Sequence, residues 1–218
     1  MVRKFFKWTG ILVLVIVVFG GSFAAHEWYA DKPFMFRSYV DRMLIKVAFE
    51  DPETLTSLGF LESMGINGHN AHLDDVHPDR TVEFLAEMIA FGEGLHQYAD
   101  EDLDADQRLT KEIVLYLTNL VADAVPFRYH TYPANQMSGI QSGFPSFMDS
   151  SHQVHSVEDA ENYLSRMSEL PRKHEQYLLG LRIRESEGII PPQFVIDRVL
   201  EQMRDFVATP AKENILYT

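Results

Sequence analysis

Apolar residues recur at three- and four-residue spacing along most of this chain, the pattern of amphipathic helices. The segments that follow it most clearly are 34–50, 78–95, 105–122, 156–170, 171–188 and 194–207. Helix-start residues precede several of them, namely Asp51 with Pro52, Asp104, and the Ser156-Val-Glu-Asp159 box. No segment alternates apolar and polar residues over the length of a strand. The pattern predicts an all-α protein, a multi-helix array.

Within 105–122, one apolar stripe is expected to face the core. It consists of Leu109, Ile113, Tyr116, Leu117, Leu120 and Val121. The proline at Pro171 is expected to separate the helix 156–170 from the helix that follows, because a proline ring disfavours helix in the residue before it.

The N-terminus has a different character. Arg3, Lys4 and Lys7 precede an uncharged run from Trp8 to Ala25. One interpretation is a secretory signal with Ser22 and Ala24 before the cut; the other is an uncleaved anchor, since about 18–20 apolar residues cross a bilayer. Residues 1–30 are thus predicted to form one hydrophobic helix, an anchor or a signal, and 31–218 a helical region outside the cytoplasm, on the membrane or exported to the periplasm or cell envelope.

A long segment, Phe127 to His155, interrupts the helical pattern with Pro133, Gly139, Gly143 and Pro145. Its aromatic content argues against disorder, because disordered segments are poor in aromatics. We expect a long ordered central loop. Two interpretations remain open: a loop folded over the helical core, or the lining of a substrate cleft, because loops held by a rigid scaffold often carry function.

Charge and composition argue against several classes of function. The net charge is −13, and beyond residue 25 there are 16 basic against 32 acidic residues. Such a surface repels phosphate backbones, so nucleic-acid binding is not expected. The absence of cysteine excludes disulfides, thiolate catalysis and Cys-ligated zinc.

The sequence offers few candidates for chemistry. A histidine- and aspartate-rich stretch invites a metal hypothesis, but its spacing lacks a helical pair of ligands, so a solvated acidic loop is preferred. Its members are His69, His72, Asp74, Asp75 and His77. Two near-matches to the His-Glu-x-x-His zinc motif, at His26-Glu27 and His174-Glu175, lack the second histidine. No catalytic residue and no metal ligand is therefore predicted in this chain.

One arginine in the central segment could hold an anionic group. Arg128 lies among Phe127, Tyr129 and Tyr132, and a guanidinium binds carboxylates through two parallel hydrogen bonds. It could equally cap a helix C-terminus or pair with one of the many acidic residues.

Four stretches resemble the bacterial family called domain of unknown function 885. They are D-P-E-T-L-T-S-L-G (51–59), Y-P-A-N-Q-M-S-G-I-Q (132–141), D-A-E-N-Y-L-S-R-M (159–167) and G-I-I-P-P-Q-F-V-I-D-R-V-L-E-Q-M (188–203). The resemblance runs from about residue 34 to the last residue. Members of this family resemble helical zinc metallopeptidases, and many are exported or lipid-anchored.

The resemblance implies that this chain is the N-terminal helical part of a longer protein. The family's His-Glu-x-x-His motif and catalytic glutamate lie in a C-terminal part that this sequence lacks, so zinc is expected there and no cofactor in this chain. The implied partners are the membrane through residues 8–25, a C-terminal catalytic half and a peptide substrate. Arg128, Tyr132, Asn135 and Gln136 are the candidate cleft residues.

Two functional hypotheses follow. The first is the N-terminal portion of an exported or membrane-anchored zinc-metallopeptidase-like protein, inactive alone. The alternative is a non-catalytic helical scaffold or binding module that faces the cell envelope. Only the first requires large apolar surfaces left for another part of the protein to cover. An independent enzyme would need a catalytic site that these motifs do not supply.

Overall fold

The computed structural model describes residues 2–217, with side chains from residue 13 onward. This part of the chain is all-helical, and no β-strand occurs in it. Its α-helices are α1 (Val2–Tyr29), α2 (Phe36–Phe49), α3 (Pro52–Leu58), α4 (Pro78–Gly94), α5 (Ala105–Ala124), α6 (Ile140–Ser150), α7 (Val157–Ser186) and α8 (Gln193–Ala208). Short 3-10 turns connect several of them. The all-α prediction is confirmed.

The first helix contains the predicted apolar segment. Its large side chains from Val13 to Phe19 are all exposed, whereas the basic residues and Trp8 lie outside the residues with described side chains. Within the described part of the chain, no helix combines the length and apolarity that crossing a membrane requires. The anchor and signal interpretations of 8–25 both remain predictions.

The predicted helix starts carry the expected caps. The Asp51 side chain accepts a hydrogen bond from the Thr54 N–H at 2.8 Å, with Pro52 in the first helical position. Asp104 and Gln107 cap α5 reciprocally, each side chain accepting the other's backbone N–H. Ser156 accepts the Asp159 N–H at 3.1 Å and begins α7. These local bonds satisfy backbone donors that no helix can pair internally.

The chain divides into two compact units. The first comprises the described residues up to Lys46 together with Met88–Leu120. Its core consists of Phe36, Tyr39, Val40, Phe91, Leu95, Tyr98 and Leu103. The Tyr39 ring stacks on Phe91 and its hydroxyl donates to the Phe91 carbonyl at 3.0 Å. Gly94 allows this approach, because a Cβ built there would overlap the Tyr39 hydroxyl.

The predicted orientation of α5 is wrong. The stripe expected to face the core is exposed at Leu109, Ile113, Tyr116, Leu117 and Leu120, by 47% to 64%. The opposite face is buried instead. There Lys111 donates to the Tyr98 carbonyl and to Asp100, at 2.7 and 2.6 Å, and Thr118 packs where Gly92 has no side chain. The hydrogen bonds of Lys111 and the fit at Gly92 select that face, and periodicity alone does not reveal either.

The second unit comprises Val47–Glu87 and the described residues from Val121 onward. Its core consists of Leu73, Ile140, Phe144 and Met148, with Tyr163, Met167, Leu170 and Tyr177 of α7 packed against it. Three of these core residues belong to α6, which lies inside the segment predicted as a continuous loop. The loop prediction is therefore wrong for residues 140–150. A buried apolar face at helical spacing outweighs the helix-breaking tendency of Gly143 and Pro145.

The helix α7 also differs from expectation, because it continues through Pro171 as one 30-residue helix. Proline removes one backbone donor and usually bends or ends a helix. Here both halves are held by polar contacts to the same segment, residues 69–76. Arg166 on one side of the proline and Gln176 on the other both bind it. Tertiary contacts therefore override the local signal.

Candidate functional site

The predicted cleft residues lie in the connection between α5 and α6, and three of the four support the connection itself. The Asn135 carboxamide accepts the N–H groups of Met137 and Ser138, both at 2.9 Å, and so closes a turn. The Gln136 carbonyl accepts a hydrogen bond from Gln202 at 3.0 Å. Arg128 donates to the Val125 carbonyl at 3.0 Å, which holds the end of the preceding 3-10 turn.

Tyr132 has a different environment, since it lines an open apolar groove of about 530 Å³. The groove is formed by the α5–α6 connection, the C-terminal half of α7, the corner at residues 189–191, and α8. Its apolar lining consists of Tyr132, Pro133, Ala134, Leu178, Leu181, Ile189, Ile190, Pro191, Ile196, Val199, Leu200 and Met203. We call this surface the α7–α8 groove. The structure brings only Tyr132, of the four predicted residues, into its lining.

Arginines hold one wall of the α7–α8 groove. Arg184 donates to the Thr131 carbonyl at 3.0 Å and its hydroxyl at 3.2 Å, and lies over the Tyr129 ring at 5.3 Å. Partial burial lowers the pKa of Arg184 from its ordinary value. Arg128 lies over the same Tyr129 ring at 4.8 Å. The two guanidinium groups thus fix the path of the connection that carries Tyr132.

A second polar arrangement was not apparent from the sequence. Along one face of α7, residues 166, 169, 173 and 176 bind the irregular segment 69–76. Arg166 is fully buried and donates to the His72 carbonyl at 2.9 Å, the His69 carbonyl at 3.1 Å and the Thr56 hydroxyl. Desolvation lowers the pKa of Arg166 to about 10. Glu169 accepts the Leu73 N–H at 3.0 Å.

The spacing i, i+3, i+7 and i+10 was the available signal for this face, because it is one stripe of a helix. The signal is visible only when 157–186 is treated as a single helix. Splitting the segment at Pro171 hides it.

Lys173 holds two acidic side chains of the same unit. Its ammonium contacts Glu53 and lies 3.9 Å from Asp74, and it is almost completely buried. The Glu53 N–H donates to Asp74, and the Asp74 N–H donates to Glu53, both at 3.1 Å. Burial, together with the negative charge of Glu53, raises the pKa of Asp74 to about 7. The Lys173 ammonium therefore lies beside two carboxylates, those of Glu53 and Asp74.

The histidine- and aspartate-rich stretch is distributed among different partners and does not converge on one point. The pairs are His69 with Glu62 at 2.9 Å, His72 with Glu169 at 2.9 Å, Asp75 with Gln176 at 2.8 Å, and His77 with Asp79 at 3.7 Å. Among the residues that the structure describes, no three histidine, aspartate or glutamate side chains are grouped so that they could hold a metal ion.

The two near-matches to the zinc motif have other roles. Glu27 accepts the N–H groups of Phe34 and Met35, at 2.8 and 3.2 Å. His174 lies on an exposed face of α7, and its ring binds the Leu170 carbonyl at 2.9 Å. Neither near-match thus supplies a pair of zinc ligands, and no chemical step is assigned to zinc here.

Comparison with known proteins identifies the family alone. No curated protein and no solved structure matches the chain. Residues 52–217, about three quarters of the chain, match the family described as "Bacterial protein of unknown function (DUF885)". This range contains three of the four sequence stretches that carry the resemblance, and all of the fourth (51–59) except its first residue. The chain therefore belongs to the DUF885 family of bacterial proteins.

Proposed function

We propose that this chain supplies the helical, non-catalytic part of a zinc-metallopeptidase-like protein, exported or anchored in the membrane through residues 8–25. In this proposal the His-Glu-x-x-His motif, its zinc and the catalytic glutamate belong to a separate C-terminal part. The chain alone is inactive as a peptidase. Its role is to pack against the catalytic part and to form one wall of the channel that admits a peptide.

The observation that carries the proposal is the exposed apolar face of α5. Leu109, Ile113, Tyr116, Leu117 and Leu120 lie within one helical stripe, and each is about half exposed. A single exposed apolar residue is ordinary, but a contiguous stripe of large ones marks a surface that another protein surface covers. The opposite face of α5 is already buried, so this stripe is a second apolar face on one helix.

The α7–α8 groove supports the same proposal from the second unit. Most of its lining residues are apolar, whereas the chain as a whole is strongly acidic. A groove of several hundred Å³ with few polar groups is suited to side chains of a peptide or of a packed helix. Tyr132, one of its lining residues, carries a hydroxyl that can form a hydrogen bond with a bound backbone.

The alternative, a free-standing scaffold module, has one specific observation in its favour. The second unit fixes its own irregular segment, because Arg166, Lys173 and Gln176 satisfy backbone and carboxylate groups of residues 53–76 without help from another chain. A unit with its own core and these internal polar contacts does not need a partner to fold.

Co-purification tests the proposal. The full chain is expressed with the product of a nearby reading frame that carries His-Glu-x-x-His, and peptidase activity is measured on each alone and on the mixture. We expect activity in the complex and none in the chain alone. Leu117→Asp on α5 and Leu200→Asp in the groove should each weaken association by more than about tenfold, because a buried unpaired carboxylate is costly.

The matched control is Val207→Asp, which places the same charge on α8 at a residue that is 83% exposed and does not line the groove. This variant should associate normally. Association that survives both Leu117→Asp and Leu200→Asp would refute the proposed surfaces. A chain that binds no such partner, binds little hydrophobic dye and unfolds in one cooperative transition would favour the scaffold alternative.

A further inference from the structure

A polar cavity of about 460 Å³ lies in the second unit, apart from the α7–α8 groove. It is formed where the end of α3, the segment 62–70, the α6–α7 connection and the first turn of α7 meet. Glu62 and Asp159 contribute carboxylates to its lining, and the remaining lining residues include Asn67, Asn70 and His155. Neither lysine nor arginine is among the described residues that line it.

Two hydrogen-bond acceptors of residues that line this cavity have no partner. Glu62 and Asn67 both line the cavity, and the Oε2 of Glu62 and the Oδ1 of Asn67 are buried without a hydrogen bond. The other Glu62 oxygen is bound by the His69 Nε2 at 2.9 Å, which orients this carboxylate.

These two atoms come from six consecutive residues, 62–67, and unpaired buried acceptors are rare in folded proteins. A ligand that satisfies them must bring donors. The feature therefore favours a donor-rich group over an anion such as phosphate or carboxylate.

The charged side chains that line the cavity also favour a positively charged ligand over an anion. His152 also lines it, but its Nε2 binds the Asp159 carbonyl at 3.0 Å and its Nδ1 binds Arg166 at 2.6 Å. An Nδ1 that accepts from a guanidinium has no proton of its own, so this ring is neutral, and burial lowers the pKa of His152. Arg166 is fully buried and directs its donors to protein acceptors. The lining charge is thus that of Glu62 and Asp159.

We propose that this cavity binds a primary ammonium group, as carried by a small amine or by the amino terminus of a short peptide. An ammonium has three N–H donors and one positive charge. It therefore suits both the two unpaired acceptors and the negative lining. Glu62 is the main anchor, since it offers a charged acceptor whose second oxygen is already oriented by His69. Asn67 adds a neutral acceptor, and Asp159 adds charge at the opposite wall.

This inference goes beyond the proposed function. All of its residues belong to one unit, and it involves neither zinc nor a catalytic partner. It would hold equally for a scaffold module.

Calorimetric titration of the full chain tests it with two series of probes. Ethylammonium and glycinamide represent small amines, and triglycine amide represents a peptide amino terminus. N-acetylglycinamide is the matched probe without the ammonium charge. We expect the ammonium probes to bind and N-acetylglycinamide not to bind. Tighter binding of triglycine amide than of ethylammonium would identify a peptide terminus as the preferred source.

Two variants locate the binding. Glu62→Gln keeps the shape and removes the charge, and should weaken binding by about tenfold or more, as expected for a hydrogen bond between charged groups. Asn67→Ala should weaken it by about fivefold, as expected for a neutral acceptor. The Asn67 side chain has no described hydrogen bond, so Asn67→Ala should fold normally. It therefore still tests the site if Glu62→Gln fails to fold. Glu161→Gln, which removes an exposed carboxylate elsewhere on α7, is the control and should bind as the parent does.

Several results would overturn the inference. Equal binding of N-acetylglycinamide would show that the charge is not recognised, and an equal loss with Glu161→Gln would indicate only the general negative field. Binding of Mg²⁺ or of glycerol with loss of ammonium binding would identify a metal or polyol site instead. Unaltered ammonium binding in both Glu62→Gln and Asn67→Ala would place the ligand elsewhere.

Discussion

Replacing Asp74 with asparagine tests how the second unit tolerates two carboxylates beside one lysine. The Asp74 side chain is about a quarter exposed, and Lys173, its nearest cation, is more closely bound to Glu53. Burial and the Glu53 charge raise the pKa of Asp74 to about 7, against 3.8 for the unperturbed group. Asparagine keeps an oxygen that can accept the Glu53 N–H, so Asp74→Asn removes the charge and preserves the backbone link.

The direction in which stability changes with pH follows from the proton that Asp74 binds in the folded state. Between pH 4 and pH 7 the folded state holds a proton on Asp74 that the unfolded state has lost, so the free energy of unfolding falls as the pH rises. One pKa unit corresponds to about 1.4 kcal/mol. With a folded pKa of about 7, the loss from pH 5 to pH 8 is about 2–3 kcal/mol. The change is nearly complete by pH 8, because the folded-state carboxyl is then mostly ionised.

Urea unfolding of the full chain, followed by far-ultraviolet circular dichroism at pH 5 and pH 8, measures this effect. Contributions of other groups to the pH dependence cancel in the difference between the parent and Asp74→Asn. We expect the two proteins to have similar stability at pH 5 and the variant to be more stable by about 2 kcal/mol at pH 8.

The control is Asp205→Asn, an exposed carboxylate on α8 with no described side-chain partner, which should not alter the pH slope. The charged or titratable groups that interact with Asp74 include Lys173, Tyr177 and Arg166 of α7, Glu53 of α3 and its cap residue Asp51. A variant that is less stable than the parent at pH 8 would refute the reasoning. It would mean that ionised Asp74 is stabilised by Lys173 more than burial destabilises it.

Two further predictions concern single residues. Arg166→Met should lower the free energy of unfolding of the second unit by about 3 kcal/mol, because it leaves buried acceptors unpaired. The control is Arg198→Met, at an exposed arginine of α8. In the same urea experiment it should lower the free energy of unfolding by less than about 0.5 kcal/mol. Gly94→Ala should destabilise the first unit by about 1–3 kcal/mol through overlap with Tyr39, whereas Gly143→Ala, where a Cβ meets nothing, should be neutral or stabilising by up to about 1 kcal/mol. Thermal unfolding distinguishes these two by the direction in which the midpoint moves, and equal shifts would contradict the packing argument.

The sequence predicts helix starts well because their determinants are local. Asp51, Asp104 and Ser156 each cap a helix through a bond that spans three residues. Such bonds depend on neighbouring residues only, so the sequence contains all the information they require. The all-helical class follows for the same reason, from periodicity within each segment.

The sequence-based predictions are wrong where contacts between residues far apart in the chain determine the secondary structure. Residues 140–150 form α6 because Ile140, Phe144 and Met148 bury one face in the core, although Gly143 and Pro145 favour interruption. The helix α7 continues through Pro171 because both halves are bound to residues 69–76. Glycine and proline statistics describe isolated segments, and burial of several large side chains is worth more than the propensity they express.

The candidate site is the least predictable part for the same physical reason. Of the predicted cleft residues, Tyr132 lines a groove, while Asn135 is used by its own turn. Glu62 and Asn67 carried no signal at all, because their significance lies in having no partner. A missing hydrogen bond can be recognised only when every neighbour of an atom is known.

The two proposed binding surfaces share one helix, and that connection leads to a last prediction. Asp159 of α7 lines the polar cavity, and Leu178 of α7 lines the α7–α8 groove. At 1.5 Å of rise per residue the two positions are about 28 Å apart along the helix. Changes at sites so far apart with no shared partner usually act independently. Glu62→Gln should therefore leave partner association unchanged, and Leu200→Asp should leave ammonium binding unchanged. If either variant alters both properties, α7 transmits a change from one surface to the other, and the polar stripe between Arg166 and Gln176 is the part of the helix to test for that coupling.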